Sequence, residues 1–255
     1  MVTVQTSIKV MRIDEVGMNM LGIIGGLGPM ATAYLMQLLT QMSDAGTDQE
    51  HMEIVVYSKP SIPDRTQYIL GKSDRSPVPE MVLAGRKLVE FGADLIAVPC
   101  ITAHYFHDEL ERQIGIPIIN AITETVQCIE QEEIDRVGLM ATDGTIQSGL
   151  FQKELKRHNI QSILPAADGQ REIMHMIYEE VKAGRAVDPE RFRNVSDRLF
   201  SQGAQVILLG CTELSLIKRD FVLPAGYLDV MDVLARKAVQ CCNHVREEYS
   251  ALITR

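Results

Sequence analysis

Cationic residues are scarce in this chain. Its 25 Lys and Arg stand against 34 Asp and Glu, leaving a net charge of −9 with no basic block to offset the acidic surface. That balance argues against nucleic-acid or anionic-membrane partners and for a small molecule. Long apolar runs are also missing. None approaches transmembrane length, and the residues before Leu21 lack the continuous apolar core of a signal peptide, so a cytoplasmic protein is expected. The five cysteines are odd in number and include no CxxC pair, and no His cluster has metal-ligand spacing. Neither a disulfide framework nor a metal site is indicated, and reduced thiols are the default.

What is present is a globular composition: 255 residues, 46% of them hydrophobic, enough for one large domain or two ordinary ones. Short apolar, β-branched-rich runs over residues 21–24, 52–57, 95–98, 116–119, 137–140, 162–164 and 206–209 alternate with helical patterns. The helical patterns cover residues 30–42, 78–91, 105–113, 148–158, 169–183, 189–202 and 230–249. This rhythm predicts an α/β protein with parallel sheets and crossover helices. The two halves correspond in order. Gly22-Ile-Ile-Gly-Gly-Leu-Gly-Pro opens one and Gly138-Leu-Met-Ala-Thr-Asp-Gly-Thr the other, and the distances to Cys100 and Cys211 are 78 and 73 positions. We therefore expect two similar α/β domains related by a pseudo-twofold axis, with the active site in the cleft between them. The first should comprise residues 21–118 plus 224–255 and the second residues 119–223, with residues 1–20 a flexible extension.

Cys100 and Cys211 each follow a strand pattern, in Ala-Val-Pro-Cys-Ile-Thr-Ala-His and Leu-Leu-Gly-Cys-Thr-Glu. The carboxyl ends of strands are where ligands bind in open α/β sheets, and a thiol there can become reactive. Buried cysteine is often just a small core hydrophobe. That reading fits Cys128, Cys241 and Cys242, which lie inside helical patterns. Thr102 and His104 accompany Cys100, and Thr212 and Glu213 accompany Cys211. His104 and Glu213 are expected to act behind the thiols rather than on substrate. Gly26-x-Gly28-x-x-Ala31 resembles a dinucleotide fingerprint. The second strand, however, ends in Tyr57-Ser58-Lys59-Pro60 and lacks the acidic ribose anchor, so a dehydrogenase ranks far behind. Backbone N–H groups at Gly28, with Thr32, could instead hold a carboxylate at the start of the following helix. Arg65, in Ile62-Pro-Asp-Arg-Thr, and Arg171, after Leu164-Pro-Ala-Ala-Asp-Gly-Gln, are candidate carboxylate clamps. Each could equally be a surface ion-pair residue.

Two thiols on opposite sides of a substrate suit removal of the α-proton of an amino acid, with a base on one face and an acid on the other. Acid–base assistance of this kind contributes ~10²–10⁴-fold, and positioning and anion stabilisation supply the rest. The motifs Gly25-Gly-Leu-Gly-Pro, Ile62-Pro-Asp-Arg-Thr, Pro99-Cys-Ile-Thr-Ala-His and Gly210-Cys-Thr-Glu resemble, in that order, those of the cofactor-independent aspartate/glutamate racemase family. The resemblance implies catalytic cysteines at Cys100 and Cys211, a homodimer, no cofactor, no metal, and an acidic amino acid or dicarboxylate as ligand. It also implies a distal-carboxylate clamp at Arg65, assisted by a cation expected at Arg171. One position departs from the family pattern: Ile101 stands where the motif usually carries asparagine, an arm for the substrate's α-carboxylate or amine. Three alternatives follow. They are a decarboxylase or a maleate-type isomerase of the same superfamily, the former needing only one cysteine, and a non-catalytic dicarboxylate-binding protein motivated by Ile101.

Overall fold

A computed structural model describes residues 20–254 of the chain. The extension expected over residues 1–20 lies outside the described residues apart from Met20, whose backbone N–H donates to Asp94 Oδ2 at 3.2 Å.

The first half runs β1 (Leu21–Gly25), α1 (Pro29–Met42), β2 (Ile54–Ser58), α2 (Arg65–Ile69), α3 (Val78–Glu90) and β3 (Leu95–Ala97). A 3₁₀ stretch over Ile101–Phe106 then leads into α4 (His107–Ile114). The strands are parallel in the order β2-β1-β3. The strand expected at 116–119 shrinks to one parallel bridge, Ile118 to Ile96. Pro117 lacks an N–H, so the ladder there is limited to Pro117 O and Ile119 N, which bond Ile96 N and O at 2.9 Å each.

The second half repeats the plan. It contains α5 (Ala121–Gln131), β4 (Arg136–Met140), α6 (Asp143–Ser148), α7 (Leu150–Arg157), β5 (Gln161–Ile163), α8 (Ala167–His175), α9 (Pro189–Ser201), β6 (Val206–Leu209), α10 (Thr212–Asp220), β7 (Tyr227–Asp229) and α11 (Val230–Cys242). Its sheet order is β5-β4-β6-β7, again all parallel. Aligned on β1 and β4, the two sheets match position by position, with β7 standing where the Ile118 bridge stands in the first.

One boundary moves. Residues 227–229 belong to the second sheet rather than returning to the first unit at 224, because Gly226 (φ +95°) turns the chain so that Tyr227–Asp229 pairs with β6. Only α11 then crosses back to pack against α1 and α5. The last residues serve both units, Val245 bridging to Ser43 and Thr254 N–H donating to Tyr227 O at 2.9 Å.

Burial follows this layout. One continuous apolar cluster joins the facing sides of both sheets through α1, α5 and α11, and contains Cys128, Cys241 and Cys242. Two separate clusters back the sheets, one under α3 and α4 and one under α8 and α9. Strands covered on both faces must be apolar throughout, which is why β1 and β6 read as unbroken hydrophobic runs.

Candidate active site

Both cysteines sit shortly past a strand end, Cys100 after β3 and Cys211 after β6, at the N-cap of the following helical turn. Because the two units face each other, the two strand ends meet. Cys100 and Cys211 line one cavity together with Arg65, Ile101, Thr102, Thr212 and Glu213, and with Leu27, Asp64, Thr66, Thr142, Tyr178 and Lys182. Its free space is about 10 Å³, room for a single water.

Hydrogen bonds stitch the two units together at this point. Thr102 Oγ1 lies 2.9 Å from Thr142 Oγ1 and 3.1 Å from Thr145 Oγ1, a closed triangle of hydroxyls in the interior. From the other side Thr212 Oγ1 donates to Pro99 O at 3.1 Å. Thr102 and Thr212 thus fix the two cysteine-bearing turns against each other.

The thiols differ in their surroundings. Cys211 donates to Glu213 Oε2 at 2.9 Å. Burial first, and then the Glu213 carboxylate, push its pKa well up, so it keeps its proton. Cys100 lies beside Arg65, a buried guanidinium held rigidly by backbone carbonyls. Its Nη2 donates to Leu27 O at 2.9 Å, and its Nη1 to Pro63 O at 3.0 Å and Ile62 O at 3.4 Å. Burial opposes the charge on Arg65, but Cys100, Asp64 and Glu213 outweigh it and raise its pKa. Its buried Nε has no hydrogen-bond partner. Asp64 caps α2 through the Gln67 N–H at 2.8 Å and accepts from Tyr178 OH at 3.0 Å.

The second cation in the cavity lining is Lys182. Arg171 is exposed on α8 and does not line the cavity. The helix continues past His175 through a π-helical turn, Met176–Val181, which carries Tyr178 and delivers Lys182 to the cleft. Lys182 Nζ sits 4.3 Å over the Tyr178 ring and 3.7 Å from Glu213 Oε1, its side chain 26% exposed at the rim. Desolvation lowers its pKa, but Glu213, Tyr178 and both cysteines raise it further, keeping it cationic. Short π-helical insertions occur frequently at functional sites. No periodicity in the sequence marks this one.

The other expected site residues fall into two groups, supports of the loops and linings of the two spaces. Thr32 Oγ1 accepts from Gly26 N–H and donates to Gly28 O, each at 2.9 Å, so it fastens the glycine-rich turn rather than facing substrate. Gly26 (φ +86°) packs so closely that a Cβ there would come within 2.7 Å of backbone atoms of Lys59 and Pro60. His104 is buried with Nε2 3.3 Å from Val98 O. Burial, with help from His107, holds its pKa down to about 3, and it is a neutral strut behind the Cys100 turn. Ile101 lines the cavity with no polar group to offer. Gly28 lines a larger outer space of about 400 Å³ that shares Leu27, Asp64, Arg65, Lys182 and Glu213 with the inner cavity. Those five residues are the wall between solvent and the thiols. Among the described residues no group of three or more His, Cys, Asp or Glu is placed to hold a metal ion, and no helix is long and apolar enough to cross a membrane.

The arrangement resembles known proteins in both sequence and structure. Residues 24–238 match the Asp/Glu/Hydantoin racemase family. The broad specificity amino-acid racemase RacX of Bacillus subtilis is 25% identical over 225 residues, covering 86% of this chain and 96% of that protein. Glutamate racemase of Aquifex aeolicus is 27% identical over 165 residues, 64% of this chain and 63% of its own. Among solved structures, Picrophilus torridus aspartate racemase superposes with a TM-score of 0.80 at 28% identity, covering 92% of this chain and 99% of its own. With two matched parallel sheets meeting at the cysteine-bearing strand ends and a family match that spans both, the chain belongs to the Asp/Glu/Hydantoin racemase family.

Proposed function

We propose that the protein is an amino-acid racemase that inverts aspartate or glutamate at Cα without a cofactor, using Cys100 and Cys211 as its two acid/base groups. The observation that carries this reading is one cavity lined by a thiol from each unit, with the cations Arg65 and Lys182 in the same lining. Arg65 and Lys182 hold the distal carboxylate, and their fixed positive charge also stabilises negative charge that spreads from Cα as its proton leaves. Cys211, kept protonated by burial and Glu213, supplies a proton to one face; Cys100 takes the α-proton from the other. For the opposite enantiomer the roles exchange.

Aspartate is the first substrate to try, since an aspartate racemase is among the structural relatives that cover nearly the whole chain. A space of about 10 Å³ is far too small for an amino acid, so substrate reaches the thiols when the wall formed by Leu27, Asp64, Arg65, Lys182 and Glu213 moves aside. The test is inversion of each enantiomer of aspartate and glutamate, followed by circular dichroism in the presence of EDTA and no added cofactor. Inversion of at least one pair supports the reading. Tight binding with no inversion of any would favour the second reading, a dicarboxylate-binding protein, for which the apolar Ile101 in the cavity is the specific observation.

A further inference from the structure

Resting on that reading, we propose that Glu213 binds the substrate's α-ammonium directly through Oε1, and so selects α-amino dicarboxylic acids over dicarboxylates that lack the amine. An ammonium drawn into this cavity needs acceptors, and most of the side-chain acceptors around it are taken. Both Asp64 oxygens are engaged, one by the Gln67 N–H and one by Tyr178 OH. The hydroxyls of Thr102, Thr142 and Thr145 satisfy one another. Thr212 gives its proton to Pro99 O and keeps only the uncharged lone pairs of a hydroxyl to offer. Ile101 contributes nothing polar where the related motif carries an amide.

Glu213 is different. It is buried at 5% exposure, its Oε2 is occupied by the Cys211 thiol, and its Oε1 is a buried oxygen with no hydrogen-bond partner. Lys182 Nζ is 3.7 Å away from that atom, an ion pair beyond hydrogen-bond reach. An orphaned carboxylate oxygen is costly to bury, and a ligand ammonium would satisfy it. The backbone keeps a place clear beside it. A Cβ at Gly28 would stand 3.1 Å from Oε1, tighter than ordinary contact, so glycine there leaves the oxygen unobstructed from the outer space. The charges then match: the unpartnered Arg65 Nε and the Lys182 ammonium serve carboxylate, and Glu213 serves the amine.

The experiment compares L-aspartate, D-aspartate and succinate, which keeps both carboxylates and lacks the amine, by titration calorimetry on the full chain and on Glu213→Gln. A charge-assisted contact predicts that the wild type favours aspartate over succinate by about tenfold or more. In Glu213→Gln that ratio should fall to about one while succinate affinity stays within about threefold, which also reports an intact fold. A ratio unchanged in the variant, or succinate weakened as much as aspartate, would overturn the proposal and make Glu213 a positioning residue for Cys211. Wild-type inversion of aspartate alongside such a result would leave the racemase reading standing. A wild type that neither binds nor inverts acidic amino acids would overturn both.

Discussion

Replacing Gly26 by alanine should damage both stability and activity, and the structure fixes how. Gly26 has φ +86°, and the added Cβ would lie 2.5 Å from Lys59 N, 2.6 Å from Lys59 C and 2.7 Å from Pro60 N. All three are backbone atoms that no rotamer change can move. The left-handed conformation costs a residue with a Cβ roughly 1–2 kcal/mol, and forcing an extra methyl into packed surroundings adds about 1–3 kcal/mol. The sum is about 2–5 kcal/mol, or some 2–4 °C of melting temperature per kcal/mol in a chain of this size. Gly71 provides the control, since it shares positive φ (+66°) but has nothing within 4 Å of the added atom. Gly71→Ala should therefore show the conformational cost alone. The activity effect follows from Leu27, the next residue, whose carbonyl accepts from Arg65 Nη2. Displacing the turn loosens the guanidinium, so kcat/KM should fall at least tenfold in Gly26→Ala and stay within about twofold in Gly71→Ala. Urea denaturation followed by far-UV circular dichroism suits a chain that has no tryptophan. Equal destabilisation by the two substitutions would refute the packing argument, and full activity in Gly26→Ala would refute the link to Arg65.

Three further outcomes are expected. Lys182→Met should raise KM for aspartate by about tenfold or more while Arg171→Met leaves it within about twofold; steady-state kinetics on the two variants decides which cation belongs to the cleft. Thr102→Val removes one corner of the hydroxyl triangle between the units and should cost about 1–3 kcal/mol in urea denaturation, whereas Thr40→Val, on an exposed helix face, should cost under about 0.5 kcal/mol. His104 titrates near 6.5 when unfolded but only at about 3 when folded. Between those values the unfolded state binds the extra proton, so this residue's contribution to stability is lost as pH falls below 6.5, at about 1.4 kcal/mol per pH unit once well below it. Going from pH 6.5 to 5, the wild type should lose about 1.5 kcal/mol more than His104→Gln; parallel losses would contradict a neutral buried imidazole.

Much of this architecture is legible in the sequence because its strongest signals are local. Strands buried on both faces leave unbroken apolar runs, so β1, β3, β4 and β6 can be read directly, and the cysteines at their ends follow from the repeated order of the halves. β7 escapes because Tyr227–Asp229 is three residues long and ends in an aspartate that caps α11 through the Met231 N–H. For the same reason the pairing of residues 227–229 with β6 leaves no mark in the sequence. In the sequence Arg171 follows a strand-to-helix boundary and looks like a site cation, but it lies inside α8, whose helix runs on through a π-helical turn, and it is the far end, at Lys182, that reaches the cleft. Such a turn leaves no periodic mark. Thr142 and Thr145 were within reach, since they lie in the second unit's counterpart of the glycine-rich turn. What no local pattern reveals is that they close a hydroxyl network with Thr102 across the cleft. Thr32 shows the opposite limit: its hydroxyl could serve a ligand, while its hydrogen bonds to Gly26 and Gly28 turn it inward to fasten the loop.

The central claim is that two thiols on opposite faces of Cα do the proton transfer, and the most direct measurement is deuterium incorporation at Cα in D₂O, by proton NMR, for D- and L-aspartate. Wild type, Cys100→Ser and Cys211→Ser would be run side by side. The account predicts exchange with inversion for both enantiomers in the wild type, and in each variant loss of inversion with any residual exchange confined to one enantiomer, opposite for the two. Unchanged inversion in either variant, or identical residual exchange of both enantiomers in both, would contradict it.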